Sequence, residues 1–487
     1  VDLKQNIFKP APSVKVMINI GALMDIPTGT YIKGLHGEHI LNGGLGSLTG
    51  FVGMGNSFKS TLMHYSMLSA MYKIPKSTAG TYDTEINIHE SHLRGFYNRM
   101  EYFYGEDLLA PECGRWVVTD KTVYTGDQWY DIFKEFAENK RKNADKITIK
   151  TPFPNRDRTG YLEIITPTLT EVDSLSEFST QDVIKMQDEN SLGDSGANTL
   201  FMRQGLQKNR FLAEIPALAG GSYNYTLMVA QIGDKFDMDP RNPKPNKLAH
   251  LKGDIKIKGV PEKFTFVMNN CWHCYGTTVL INDSTKAPEY PRDGEDNLKG
   301  DTDLSVVRIR QLRSKSGPSG MAMEIVVSQQ EGVLPSLTEF HYIKNNNRYG
   351  LEGNLQNYTL ALCPEIKLSR TVVRGKIDRH PELRRALNIT SEMCQITDLW
   401  HHVKAELKCT PKQLYDDLIA LGYDWKVLLA TRGWWAPVGE FEDIPFLSTM
   451  DLLLMRVGAY IPYWMENPPE KAVKLHEEYK AAQVEKT

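Results

Sequence analysis

The sequence predicts an α/β protein in which a mostly parallel, twisted sheet flanked by helices is followed by a helical C-terminal domain. Three observations predict it. "LTGFVG" is a short apolar strand that runs through a glycine-bearing turn into "STLMHYSMLSAMYK", where Leu62, Tyr65, Met67, Leu68 and Met71 recur at helical spacing. Further runs read as strands: "TAGTYDTEINI", "YLEIITPTLTEVDSLSEF" ending at Asp173, "YTLMVAQI" ending at Gln231, "TTVLIND", "LSVVRIRQL" and "MAMEIVV". From about His380 the pattern turns helical, in "ELRRALNI", "DLWHHVKAEL" and "PKQLYDDLIALGY". Residues 101–160 read as helix and loop, with a basic, proline-bearing stretch that has the look of an insertion.

The turn after the first strand, "GMGNSFKST", approaches the pattern G-x-x-x-x-G-K-[ST], whose backbone N–H groups cradle phosphates. Gly53 and Gly55 supply flexible backbone, Lys59 an ammonium for the outer phosphates, and Ser60 a hydroxyl for Mg²⁺. Asn56, Ser57 and Thr61 complete the candidate ATP-binding segment. Phe58 stands where the second glycine belongs. It is expected to take a φ open to any side chain, with its ring directed away from the phosphates.

Such a site needs a carboxylate to polarise the attacking water and an Asp at a strand end in the Mg²⁺ shell. "YDTE" ends a strand with Asp83 and Glu85, and Glu85 suits the first role. Asp173 in "TEVDSL" suits the second. A lone carboxylate at a strand end is usually just solvated, but two in this order after a matching loop favour an ATP and Mg²⁺ site.

At 487 residues, with 41% hydrophobic and 24% charged, the chain has the composition of a globular protein. No apolar run is long enough to span a bilayer, and the N-terminal stretch lacks the apolar core of a signal peptide. Six cysteines suggest a reducing compartment. A cytoplasmic protein without membrane contact is expected. The net charge of −3 gives no global basic field, so positive charge has to be local if nucleic acid is bound. It is local twice. Arg241, Lys244, Lys247, Lys252, Lys256, Lys258 and Lys263 face only Asp254 and Glu262, and Arg308, Arg310, Arg313 and Lys315 have no acidic neighbour. Cys271, His273 and Cys274 lack a second ligand pair at zinc spacing, so they read as strand residues. Trp434 and Trp435 read as core or interface.

Several of these stretches, in this order, resemble the RecA family of strand-exchange recombinases, the phage UvsX type in particular. They are "SFKS", "YDTE", "VDSL", "GDSGANTLFMRQGLQKNRFL", "VAQI", "RSKSGP" and "RGWWAPVGEFED". The resemblance covers roughly residues 15–345 in scattered blocks. It implies a RecA-like ATPase core over residues 41–379, an N-terminal arm and oligomerisation segment over 1–40, and a helical domain over 380–487. It also implies that Glu85 is the catalytic glutamate, that Asp173 serves the Mg²⁺ site, and that Gln231 senses the γ-phosphate. Arg313 and Lys315 would reach a neighbouring subunit's ATP. Arg203 would lie on the helix after a first DNA-binding loop. The basic stretch after Gln231 would be a second such loop, with Phe236, Phe264 and Phe266 available to bases. His92 stands where the family carries a tyrosine against adenine. "TPTLTEV" is more polar than the family's core strand.

The expected function is therefore that of a DNA-dependent ATPase that assembles into helical filaments on single-stranded DNA and promotes exchange with homologous duplex DNA. Recombination mediators and single-strand-binding proteins would be its helpers, in the cytoplasm of a bacterial host if the chain is of phage origin. A hexameric replicative helicase shares the core, but a long N-terminal primase-interacting domain is expected there and none precedes this one. A non-catalytic filament or scaffold protein is the third possibility, to which Phe58 lends support.

Overall fold

The computed structural model describes residues 12, 14–100, 103–112, 114–189, 197–234, 255–292, 301–317, 319–354, 356–400 and 403–484. A hairpin of β1 (Thr30–Lys33) and β2 (His39–Asn42) precedes the main sheet. All six residues of β3 (Leu48–Gly53) are buried, as in a strand covered on both faces. Residues 54–58 lead into α1 (Lys59–Lys73), which buries Leu62, Met63, Met67, Leu68 and Met71 almost all round. Then come β4 (Thr78–Asp83), α2 (Glu90–Tyr97), β5 (Trp116–Asp120) and α3 (Gly126–Lys142). A capping box starts α3, the Thr125 N–H donating to Gln128 Oε1 at 2.9 Å.

The hairpin β6 (Thr148–Pro154) and β7 (Tyr161–Ile165) is followed by β8 (Thr168–Asp173), α4 (Gln181–Glu189) and α5 (Ala197–Ser222). Next are β9 (Asn224–Asp234), β10 (Ile255–Ile257), α6 (Lys263–Val267), β11 (Asn270–Val279), β12 (Leu304–Ser314), β13 (Ala322–Ser328), β14 (Gly332–Val333) and α7 (Pro335–Asn345). A small sheet of β15 (Leu351–Gly353), β16 (Tyr358–Leu360) and β17 (Cys363–Leu368) leads to α8 (Val373–Arg379) and α9 (Pro381–Leu399). The chain closes with α10 (Pro411–Ala420), α11 (Trp425–Leu429), α12 (Thr449–Arg456) and the largely exposed α13 (Glu470–Val484).

The main sheet has the order β14-β13-β12-β11-β3-β9-β8-β4-β5, with β10 paired to β9. From β5 to β11 the strands run parallel, while β10, β12, β13 and β14 join antiparallel. The expected α/β class with a mostly parallel sheet is thus observed. After β3 the chain re-enters at β4, with β9 and β8 between, and α1 lies over β3, β9 and β8. Crevices at such crossovers, beyond the carboxyl ends of parallel strands, are where open α/β sheets bind ligands.

Two apolar layers sandwich the sheet. Phe51, Leu62, Met67, Leu227, Val229 and Trp272 pack on the α1 side. Val52, Trp129, Phe133, Val172, Phe211 and Met228 pack on the α3 and α5 side.

Four expectations change. Residues 101–160 contain β5 and β6 as well as helix; in β6 the burial alternates beneath the lysine and proline residues. The single strand expected up to Asp173 is two, because Pro167 lacks the N–H that a continuous ladder needs. The segment from Val14 to Ile26, expected in an arm, is packed into this chain's own core: Tyr225 and Tyr65 donate to the carbonyls of Val16 and Ile20 at 2.9 and 2.6 Å. The division expected at residue 380 runs through one buried cluster, which joins Leu337, Phe340 and Leu368 to Leu383, Leu387 and Leu453. Trp435 is 1% exposed and its indole donates to the Met17 carbonyl at 2.8 Å, so the stretch between α11 and α12 is fastened to the first segment. No helix among the described residues is long and apolar enough to cross a membrane.

Candidate functional site

Strand register gathers the candidate residues at one rim. Gly53 sits between Cys274 of β11 and Gln231 of β9, and Asp83 of β4 lies between Asp173 of β8 and Asp120 of β5. The loop 54–58 rises from this rim. A Cβ on Gly53 would lie 2.5 Å from Ser57 Oγ and 2.8 Å from the Cys274 carbonyl, so only glycine fits the entry. A Cβ on Gly55 would meet nothing within 4 Å, so the crest is open. The N–H groups of Gly55, Asn56, Phe58, Lys59 and Ser60 donate to no described backbone carbonyl. Unpaired N–H groups at the start of a helix form an anion cradle. Ser57 Oγ donates to the Met54 carbonyl at 2.8 Å, and the buried Lys59 ammonium donates to the same carbonyl at 2.6 Å. Burial lowers the Lys59 pKa, against the pull of nearby Asp173 and Glu85. Thr61 is half-buried on the first turn of α1.

Phe58 corrects an expectation. Its φ is +59°, in the left-handed region, where a side chain is strained and glycine is not. The ring is held by packing against the core on the α1 side. Phe58→Gly is expected to leave stability nearly unchanged, because relief of about 1–2 kcal/mol of backbone strain offsets a similar loss of packing. Phe58→Val, β-branched at the same φ, is expected to cost about 2 kcal/mol. Urea unfolding of the two variants checks this, and equal stabilities would show that the dihedral does not matter.

The two carboxylates of "YDTE" have separate tasks. Asp83 is buried and caps the next turn: Oδ1 accepts the N–H groups of Glu85 and Ile86 at 2.8 and 2.9 Å, and Oδ2 those of Asn87 and Ile88 at 2.8 and 2.9 Å. Glu85 is turned out of the strand. Its Oε1 accepts from Ser174 Oγ at 2.9 Å and Gln231 Nε2 at 3.2 Å, and its Oε2 from Asn87 Nδ2 at 3.1 Å. Asp173 is buried, with the Ser60 hydroxyl beside its carboxyl group. Burial pushes its pKa up to about 6, opposed by the Ser60 hydroxyl and by His64. Among the described residues no three His, Cys, Asp or Glu side chains cluster as metal ligands. The Ser60–Asp173 pair offers two hard oxygens, which suits Mg²⁺ with water and phosphate completing its shell.

Gln231 is held on three sides. Its side chain reaches Glu85, its N–H donates to Ser176 Oγ at 2.9 Å, and its carbonyl accepts the Lys258 N–H at 2.8 Å. Ser176 Oγ also donates to the Lys258 carbonyl at 3.0 Å. The buried Lys208 ties this joint together, donating to the carbonyls of Ser176 and Gly259 at 2.6 and 2.8 Å, and burial brings its pKa down to about 8.

The remaining candidates lie apart. His92 is exposed on α2, its ring edge-on to Phe96 at 4.5 Å. Arg203 is exposed on α5, with Nη1 3.4 Å from Met186 Sδ. Lys256 and Lys258 are exposed, and Lys256 pairs with Gly233 across β9 and β10. Arg241, Lys244, Lys247, Lys252 and Phe236 lie outside the described residues. Phe264 is fully buried beneath Gly50 and is not available to a base, whereas Phe266 is 62% exposed under the Arg313 guanidinium. Arg313 pairs with Cys271, which pairs with Gly50, so it sits about 10 Å back along the sheet from Gly53. Lys315 lies beyond it and donates to the Val267 carbonyl at 3.4 Å.

Sequence reasoning missed Ser174, Ser176, Lys208 and the buried pair His64 and Glu171. For Glu171 a signal exists: Leu169, Glu171 and Asp173 alternate onto one face of β8, which makes Glu171 a buried residue in need of a partner. His64 is that partner, with Nδ1 2.9 Å from Glu171 Oε2. The polar character of "TPTLTEV" is thus partly matched by buried partners, since Thr170 likewise donates to Asn224 at 2.8 Å, while Glu171 Oε1 and Asn224 Nδ2 are left without one. No protein-family model matches the chain, and no curated protein matches it in sequence.

Proposed function

We propose that the chain is an ATP-dependent, single-stranded-DNA-binding recombinase of the RecA-like kind, which forms helical filaments and promotes homologous strand exchange. One arrangement carries the reading: a loop of unpaired N–H groups above the neighbouring Ser60 and Asp173, with Glu85 tied to Gln231 on the same rim. In this reading the triphosphate lies over the loop, and the Lys59 ammonium leaves the Met54 carbonyl for the outer phosphates. Ser60 and Asp173 would hold Mg²⁺, which when bound would neutralise charge on the phosphate oxygens. Glu85, oriented by Ser174, Gln231 and Asn87, accepts the proton of the attacking water.

Gln231 links that glutamate to β9 and β10, the strands that flank residues 235–254. A change at Glu85 therefore reaches the basic stretch through one side chain and two backbone bonds. The position of Arg313 and Lys315, away from this chain's own loop, supports their acting on a neighbour's ATP. The exposed Phe266 and the lysines of β10 supply the ring faces and charges that single-strand binding uses. Lys256→Ala with Lys258→Ala is expected to reduce the slope of log affinity against log salt by about 1.4, at about 0.7 per phosphate contact on single strands. Fluorescence anisotropy with an oligonucleotide of one base measures it, and an unchanged slope removes both lysines from the interface.

The reading is tested by electron microscopy with single-stranded DNA and a non-hydrolysable ATP analogue, together with ATP hydrolysis with and without DNA. Open, nucleotide-dependent helical filaments and DNA-stimulated hydrolysis are expected. Closed six-membered rings would favour the helicase instead. Filaments without hydrolysis would favour a non-catalytic scaffold, the second reading, to which the strained Phe58 lends support.

A further inference from the structure

Helix α1 faces β8 at two heights. At the rim the Ser60 hydroxyl lies beside Asp173. One turn below, His64 and Glu171 meet at 2.9 Å, both fully enclosed. The spacings match: four helical residues rise about 6 Å and two strand residues about 6.6 Å. Ser60 and His64 therefore share one helix face, opposite Asp173 and Glu171 on one strand face. The lower rung is itself anchored. Glu171 Oε2 also accepts from Thr81 Oγ1 at 2.6 Å, and Trp116 Nε1 donates to Thr81 Oγ1 at 2.9 Å, which carries the network across β4 to β5.

We propose that His64 and Glu171 are a positioning pair, which sets the rotation and height of α1 on β8 and so the separation of Ser60 and Asp173 that a magnesium-bound triphosphate requires. An apolar pair of similar volume would hold the helix to the sheet without the desolvation cost of burying an imidazole and a carboxyl group. It would lack direction. A hydrogen-bonded pair resists sliding and rotation along one vector, and Mg²⁺ tolerates little departure from an octahedral shell. The inference deepens the nucleotide reading and rests on it.

The test uses the full chain carrying His64→Leu and Glu171→Met together, since either change alone strands a buried polar partner. The double variant is expected to unfold at about the parent's temperature. Mn²⁺ titration in the presence of ATP, followed by the spin resonance of the bound ion, is expected to show affinity weakened ~10-fold or more. Binding of a fluorescent ATP analogue in EDTA is expected to stay at the parent's level, and kcat to fall while KM at saturating metal holds. His64→Gln, which keeps a donor toward Glu171, is expected to recover most of the metal affinity.

Parent-like metal affinity in the double variant overturns the positioning role. If that variant does not fold, Thr81→Val decides, because it loosens the lower rung with His64 and Glu171 still paired: weaker Mn²⁺ binding supports the proposal and unchanged binding overturns it. A parent that binds neither nucleotide nor Mn²⁺ brings down the nucleotide reading, and this inference with it.

Discussion

Glu85→Gln is expected to slow ATP hydrolysis by about 10²- to 10⁴-fold, the usual contribution of a general base, while nucleotide binding and filament assembly persist. The substitution keeps size and shape. Oε1 remains an acceptor for Ser174 and Gln231, so the three-way contact survives; what is lost is the second oxygen's capacity to take a proton. Asn87, which donates to Oε2 in the parent, would then face an amide group. Single-turnover phosphate release measures the chemical step, and a fluorescent ATP analogue measures binding separately. A hydrolysis rate equal to the parent's would strip Glu85 of its role and leave the rim without an assigned base.

Asp83→Asn is expected to damage both fold and activity without touching substrate. Asp83 is 3% exposed, and its two oxygens accept four backbone N–H groups at 2.8 to 2.9 Å. An asparagine offers one oxygen. Its NH₂ group would confront two N–H donors that have no other partner in the clamp. Stranded buried donors cost about 1–3 kcal/mol each, so a loss of about 3 kcal/mol is expected in urea unfolding. The segment 85–88 carries Glu85, so hydrolysis is expected to fall more than about 10-fold through misplacement of the base. Hydrogen exchange at the amides of 85–88 gives the direct readout. Exchange and stability unchanged from the parent would mean that something other than the clamp positions Glu85.

The strand, turn and helix around Lys59 and Ser60 were legible in the sequence because each depends on neighbours within a few positions. Asp173 was legible as a strand-end residue, whereas Glu85 lies two residues past the end of β4 and Gln231 three before the end of β9; the register of the parallel strands brings all three to one rim. What was not legible depends on closure of the whole fold. Phe58 takes its left-handed φ because the loop must turn from β3 into a helix whose packing is already decided. The division of labour between Asp83 and Glu85 depends on the chain folding back at Ile86, where φ is +55°. His64 and Glu171 are 107 positions apart, so no local pattern joins them. The packing across the late boundary was hidden for a related reason: helical periodicity reports which faces are apolar, but not that Leu337 and Leu387 join one buried cluster.

The bond between the Lys59 ammonium and the Met54 carbonyl makes the loop its own competitor. An acceptor tethered five residues away along the chain acts at a high effective concentration. A small anion such as chloride or orthophosphate gains little by replacing it. A polyphosphate bound as proposed would present several charged oxygens to the neighbouring N–H groups at once, and so would have more to offer than the carbonyl it displaced. Selection against weak anions would then be a matter of exchange equilibrium rather than of pore size or shape. Because the internal ligand is main chain, no side-chain substitution at Met54 removes it.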